Sequence, residues 1–282
     1  MLNFNTQHAG TTIRLPGNSN ITLAWCPAGN FRMGAHSNDK FKYDNEYPQA
    51  NVYFRKGFWI GITPVTIKQY CSMLGNLPGF MNYDENLPVV DMQWDIAKKF
   101  CNVLSKKLQE IKFISEETFV DLPTEAQWEY ACRAGTDSIW HFGNELENLT
   151  NYAWYKENSD KTFHPVAQKL PNQWGIYDMY GNVSEWTLGN FYLYKLFHSE
   201  KPSNDPLFEF SNSTTMVVRG GGFRSPAKLC RSSTRSVMDK DNPYNDEIGF
   251  RVVINSNVER TYYDNNMDNR NRLGPRWIYR GR

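Results

Sequence analysis

Asn172-Gln-Trp-Gly-Ile-Tyr-Asp-Met-Tyr-Gly-Asn-Val-Ser-Glu-Trp186 is the stretch on which the reading of this chain turns. It lies in a loop-rich region, Trp140 to Asn212, full of Asn, Gly, Pro and aromatic residues. So long an irregular region inside a domain needs local fixation by metal, aromatic packing or buried hydrogen bonds. Rings are plentiful: 9 Trp, 16 Tyr and 17 Phe make up 15% of the 282 residues. That load excludes disorder over most of the length and predicts a core of rings with few aliphatic runs.

Upstream, Thr124 with Gln127 three residues on is a capping box, and it predicts a helix over Glu125–Ala134 with Gly135 as its C-terminal cap. Two earlier helices are predicted. One follows Thr66 as N-cap, with Ile67, Tyr70, Cys71 and Leu74 forming its buried stripe. The other runs from Asp95 to Ile111, burying Ile96, Ala97, Phe100, Leu104 and Leu108 and solvating Lys98, Lys99, Lys106 and Lys107. Strands are predicted over Asn20–Cys26, Val52–Ile60, Met216–Arg219 and Phe250–Ile254.

Charge and cysteine usage narrow the function classes. Lys plus Arg number 31 against 30 Asp plus Glu, a net charge of +1, which argues against nucleic-acid coating or attachment to anionic membranes. The N-terminus lacks a basic start followed by an apolar stretch, and no run of about 18 apolar residues occurs, so neither signal peptide nor spanning helix is expected. Five scattered cysteines without a Cys-x-x-Cys pair fit reduced, buried thiols and a cytoplasmic location. Past Asn255 the chain turns basic, with six arginines against three acids. Trp277, Ile278 and Tyr279 there could dock on the body, and nucleic acid is expected, if at all, only through this tail.

Several strings stand in order: Phe31-Arg-Met-Gly34, Pro64-Val-Thr66, Leu122-Pro-Thr-Glu-Ala-Gln-Trp-Glu-Tyr-Ala131, the opening stretch, Arg219-Gly-Gly-Gly222, Cys230-Arg-Ser232 and Gly249-Phe-Arg-Val-Val253. Together they resemble the formylglycine-generating enzyme (sulfatase-modifying factor) family. The resemblance implies one α+β domain, mixed, loop-rich and C-type-lectin-like. It would run over residues 20–254, between an N-terminal segment (1–19) and an Arg/Asn-rich C-terminal extension (255–282).

The family's founding activity oxidises a cysteine to formylglycine with copper held by two thiolates, and Cu(I) demands such soft ligands. Anchored on Arg235 and Arg251, the thiolate positions fall on Ala227 and Ser232, so copper chemistry is not expected. An iron-dependent branch of the family, the sulfoxide synthases, takes its histidines from an added helical domain. His8, His36, His141, His164 and His198 here show no ligand spacing, so iron is not supported. Structural calcium is the cofactor the resemblance does imply. One site would use Asn151, the Tyr152 carbonyl, Asp160 and the Thr162 carbonyl. The other would use Glu185 with the carbonyls of Tyr180, Gly181 and Val183. The plainer readings are that Asp160 caps a turn and Glu185 accepts local N–H bonds.

Two departures from the family pattern stand out: Asp121 replaces an Arg, removing an ion pair, and Gly222 replaces a Ser near the expected groove. Arg219, Arg231, Arg235 and Arg251 read as internal hydrogen-bond donors to loop carbonyls. Arg224, Lys228, Cys230, Ser232, Asp239, Asp241 and Tyr244 form the candidate ligand-binding set within Phe223–Asn245, a mixed polar and aromatic segment. The function expected is a noncatalytic module binding a protein or small-molecule ligand. The alternative is an oxidative tailoring enzyme acting on a small molecule or peptide.

Overall fold

Leu23-Ala-Trp-Cys26 and Phe58-Trp-Ile60 are apolar at consecutive positions, so strands built from them must be covered on both faces. The computed structural model describes residues 1–4, 7–75, 84–192, 203–208, 213–241, 246–255 and 262–263. Its strands are β1 (Thr12–Arg14), β2 (Thr22–Cys26), β3 (Gly29–Met33), β4 (Ala50–Phe54), β5 (Phe58–Gly61), β6 (Phe119–Asp121) and β7 (Ser184–Asn190). There follow β8 (Ser203–Asn204), β9 (Leu207–Phe208), β10 (Thr215–Arg219), β11 (Arg235–Asp239), β12 (Ile248–Gly249), β13 (Val253–Asn255) and β14 (Tyr262–Tyr263). The helices are α1 (Ile67–Leu74), α2 (Trp94–Glu110) and α3 (Glu125–Arg133). The fold is α+β, with several small sheets.

The central sheet, in the order β1-β2-β5-β13-β6, is antiparallel throughout. Leu23, Trp25, Trp59 and Ile254 face one core with Phe100 and Leu104 of α2. Ala24, Cys26, Phe58, Ile60 and Val253 face the other with Trp128 and Ala131 of α3. Period-two alternation sends successive apolar residues into two cores. A second sheet, β11-β10-β7-β12, carries the strings around Glu185 and Arg219, and a third is β3-β4-β8. β1 takes the central sheet into the stretch read as an N-terminal segment. Tyr262–Tyr263 pairs in parallel with Leu207–Phe208; Trp277, Ile278 and Tyr279 lie outside the described residues.

Local signals located the helices. Both Thr66 and Thr124 cap their helices and form capping boxes with Gln69 and Gln127. The left-handed residue ending α3 is Ala134 (φ 47°), one position before the expected Gly135. Three other expectations need correction. Val52–Ile60 is two strands, because the chain turns at Arg55–Gly57, where a Cβ on Gly57 would stand 2.2 Å from the Trp25 ring. Phe250–Ile254 is strand only from Val253, since the preceding residues cross from the second sheet to the first, the Phe250 and Val252 carbonyls accepting the Val65 and Gly61 N–H. Lys98 is only partly solvated; its ammonium pairs with the buried Asp121, which restores an ion pair at the position where Arg was missed.

The loop-rich region holds the seven-residue strand β7, missed in the sequence; it buries its polar Glu185, Thr187 and Asn190 along with Trp186 and Leu188. Aromatic packing and buried hydrogen bonds fix the rest. The His141 and Tyr180 rings stack at 5.5 Å and Phe142 stacks on Tyr152 at 4.4 Å. Asn172 Oδ1 accepts from Trp174 and Ile176 N–H while its Nδ2 donates to the Ala131 carbonyl, tying the opening stretch to the end of α3.

Candidate functional site

The segment Ala227–Arg235 runs where a thiolate pair would be needed. Ala227 opens a 3-10 turn, and Ser232 is fully buried. Ser232 Oγ lies 2.9 Å from Tyr180 Oη, which in turn accepts the His141 N–H at 2.8 Å. Cys132 completes this buried cluster by hydrogen-bonding Tyr180 and Ser232; burial raises its thiol to about 11, above the range where a thiolate forms near neutrality. Cys230 is sealed as well: burial raises its pKa to about 12, and its carbonyl accepts Trp140 Nε1–H. Cys230 and Ser232 were expected to touch ligand, and the structure places both in the core. Burial also drives His141 down to about 4, so its imidazole is neutral.

Arginines on either side of Ser232 are held by acids. Arg231 donates to both oxygens of Glu46 (2.7 and 2.8 Å), to Asp39 Oδ2 (2.8 Å), and to the Lys228 and Phe41 carbonyls. Arg235 forks onto Glu125, and Arg219 bridges Glu125 and Glu129, the latter shared with Arg133. Burial alone would raise Glu129, but Arg133 and Arg219 outweigh it and hold the carboxyl below its ordinary value. Four guanidiniums thus face four carboxylates, and low dielectric makes such a network costly to break.

The surface members of the expected ligand set do not converge. Arg224 is exposed, lies over the Phe223 ring and donates to Asp246 and Glu247. A Cβ on Gly222 would meet Glu247 Oε2 at 3.0 Å, so the missing serine has made room for that carboxylate. Asp239 and Asp241 lie instead at the start of α2, where Gln93 donates to the Asp241 carbonyl and Trp94 N–H to that of Lys240. Lys228 is exposed, and Tyr244 lies outside the described residues.

At one of the two places expected to hold calcium the carboxylate is already committed. Glu185 is fully buried, with both oxygens taken by Arg251 (2.6 and 2.7 Å) and Oε2 also by Trp128 Nε1–H. Its charge is therefore already matched. Tyr180, Gly181 and Val183 precede it in sequence, and Gly181 is drawn against the Trp154 backbone, whose carbonyl oxygen lies 2.1 Å from where a Cβ would be. At the other loop, the Asn151 carbonyl accepts Leu170 N–H, and Asn151, Asp160 and Thr162 are exposed while Tyr152 is half-buried. Positive charge is already present there: Lys169 Nζ donates to the Thr150 carbonyl at 2.8 Å and sits 3.8 Å from the Trp154 ring. His164 stacks on that ring at 3.9 Å, and Asn182 clamps the His164 backbone at both its N–H and C=O. Among the described residues no group of three or more His, Cys, Asp or Glu is disposed to hold a metal.

Asp178, in the opening stretch, accepts the Ala167 N–H at 2.8 Å; burial lifts it to about 6. Elsewhere, a cavity of about 570 Å³ runs beside β3, with Phe31, Arg32, Asn51, Tyr130 and Asp137 among its walls. Nothing in the sequence singled it out, because its walls come from three separate segments.

The Sulfatase-modifying factor enzyme 1-like domain matches residues 11–256 of this chain. The chain belongs to that family. Among relatives, it is 28% identical over 251 residues to Chaperone protein LppX of Paenibacillus barcinonensis, covering 74% of this chain and 84% of that one. It is 29% identical over 183 residues to the mouse Formylglycine-generating enzyme, covering 60% of this chain but only 44% of the enzyme. Among solved structures, PvdO from Pseudomonas aeruginosa superposes with a TM-score of 0.76 over 88% of this chain and 99% of PvdO; at 24% identity this establishes the shared fold. No described helix of this family member is long and apolar enough to cross a membrane.

Proposed function

We propose that this family member is a noncatalytic protein-binding module. The carrying observation is Ser232: it stands where the resemblance puts a copper-binding thiolate, is fully buried, and is spent on Tyr180. Its partner position is a methyl group, Ala227, and a hydroxyl with a methyl offers Cu(I) no soft ligand. The Arg231 and Arg235 ion pairs on either side hold the segment in one geometry. A protein ligand, in preference to a small molecule, is supported by the likeness to a chaperone across most of that relative's length. Function has to be argued from the site when one fold hosts several activities.

The test is elemental analysis of the purified protein, before and after incubation with Cu(I) and Fe(II), alongside oxygen uptake with cysteine-containing peptides. We expect substoichiometric copper and iron and no peptide-dependent oxygen uptake. One copper or iron per chain with oxygen uptake would overturn the reading in favour of an oxidative tailoring enzyme.

A further inference from the structure

The cavity beside β3 lies far in sequence from the segment discussed above and has its own chemistry. β3 is an edge strand of its sheet, paired only with β4 among the described residues. Its register opposes Asn30 to Tyr53 and Arg32 to Asn51, which puts Asn30, Arg32 and Asn51 on the exposed face. Across the edge stands the end of α3 with its following turn, Arg133–Asp137. The cavity between, about 570 Å³, is within the size range of roughly 300–1,000 Å³ typical of ligand sites.

Three features define what fits. First, an edge strand presents backbone N–H and C=O groups that an extended chain can satisfy by adding a strand. Second, Phe31 and Tyr130, with ring centroids 5.3 Å apart, together with Val52, give one side of the cavity an apolar floor. Tyr130 reaches this position because Gly29 has no side chain; a Cβ there would stand 2.5 Å from its hydroxyl. Third, Arg32 pairs across the mouth with Asp137, both about half exposed at 54% and 47%. An exposed pair of this kind is held only weakly, so an incoming carboxylate can replace Asp137 at little cost.

We infer that this groove binds an extended peptide, which adds as a strand to β3, inserts an apolar side chain over Phe31 and Tyr130, and offers an adjacent acidic side chain to Arg32. Adjacent residues of a strand point to opposite faces, matching the apolar floor on one side of β3 and Arg32 on the other. The inference rests on the protein-binding reading and gives that binding a place and a ligand class.

The experiment pans a random seven-residue peptide display library against the full chain. Enriched peptides are then synthesised and their binding measured by fluorescence anisotropy. We expect an apolar residue next to an acidic one, and binding at least tenfold weaker to both Asn51→Trp, which fills the groove, and Arg32→Glu. Both positions are exposed strand sites, and matching melting curves establish that the variants fold; if one does not, the other carries the comparison. N-methylation of alternate peptide amides should weaken binding at least tenfold. No enrichment, equal binding to the variants, or indifference to N-methylation would overturn the inference. So would a dimer of the parent chain abolished by Asn51→Trp, since the edge would then belong to a second copy. Peptides that bind regardless of the groove variants leave the protein-binding reading standing while the groove falls; a stoichiometric redox metal with turnover removes both.

Discussion

Arg231 and Glu46 stand 185 positions apart in sequence and meet as a two-pronged, fully buried pair, Nη2 to Oε1 at 2.7 Å and Nη1 to Oε2 at 2.8 Å. Asp39 and Ser233 complete the arrangement, so the loop between β3 and β4 is held to the segment that precedes β11. Replacing Arg231 by Met should strand two buried carboxylates and cost about 3–5 kcal/mol in urea unfolding. The double variant Arg231→Met with Glu46→Gln should recover part of that loss. Simple additivity of the two would contradict the pairing.

Gly181 has φ 67°, and a Cβ there would stand 2.1 Å from the Trp154 carbonyl oxygen. Gly181→Ala combines a left-handed backbone with a clash against main chain, and the expected loss is about 3 kcal/mol or more. Gly17 also has positive φ (81°) but nothing within 4 Å, so Gly17→Ala should cost about 1 kcal/mol. Equal midpoints in denaturant would show that the close approach is not a constraint.

Asp178 and His141 make opposite contributions in the same pH window. The Asp178 pKa is raised from 3.8 to about 6, so its share of stability is present below pH 4 and lost as pH rises through 6. His141 is lowered from 6.5 to about 4, so its share is present above pH 6.5 and lost as pH falls through 4. Each amounts to on the order of 3 kcal/mol. Relative to the parent, His141→Phe should therefore gain stability on acidification from pH 6.5 to 4, and Asp178→Asn should lose it. Parallel pH profiles for the two variants would rule this out.

Cys26, Cys101, Cys132 and Cys230 are buried, and burial raises each of their pKa values; Cys71 is half-buried. Brief alkylation of the native protein, read by peptide mass spectrometry, should modify Cys71 alone. Fast labelling of Cys230 would mean that the segment around Ser232 opens to solvent.

With Glu185 matched by Arg251 and Lys169 seated beside Thr150, added calcium has little to neutralise. The melting temperature should agree within about 1 °C between millimolar calcium and chelator. A ligand at 100 times its Kd stabilises by ~2.7 kcal/mol, so a shift of several degrees would reinstate a calcium site.

What could be read in the sequence was what is local. Thr124 and Gln127 announce a helix because the capping box needs only those neighbours. The need for glycine at position 57 was invisible because the atoms that crowd it belong to Trp25 and Cys26, on another strand. Ser232, read as standing where the resemblance puts a cysteine, was misjudged as accessible, since its burial depends on Tyr180 and Cys132 folding onto it from distant segments. The arginines were read as internal donors to loop carbonyls, but each also pairs with an acid; Glu46, Glu125, Glu129 and Glu185 lie roughly 60 to 190 positions away and carry no periodic signal.

The position of β13 has a consequence for how the chain is made. Val253–Asn255 fills the slot between β5 and β6, so two strands from the first half wait for a neighbour contributed near residue 255. During synthesis, at about 5–20 residues per second, the earlier strands therefore emerge well before the sheet can close. A ribosome stalled anywhere before that codon holds a nascent chain whose two earlier strands still have unsatisfied inner edges.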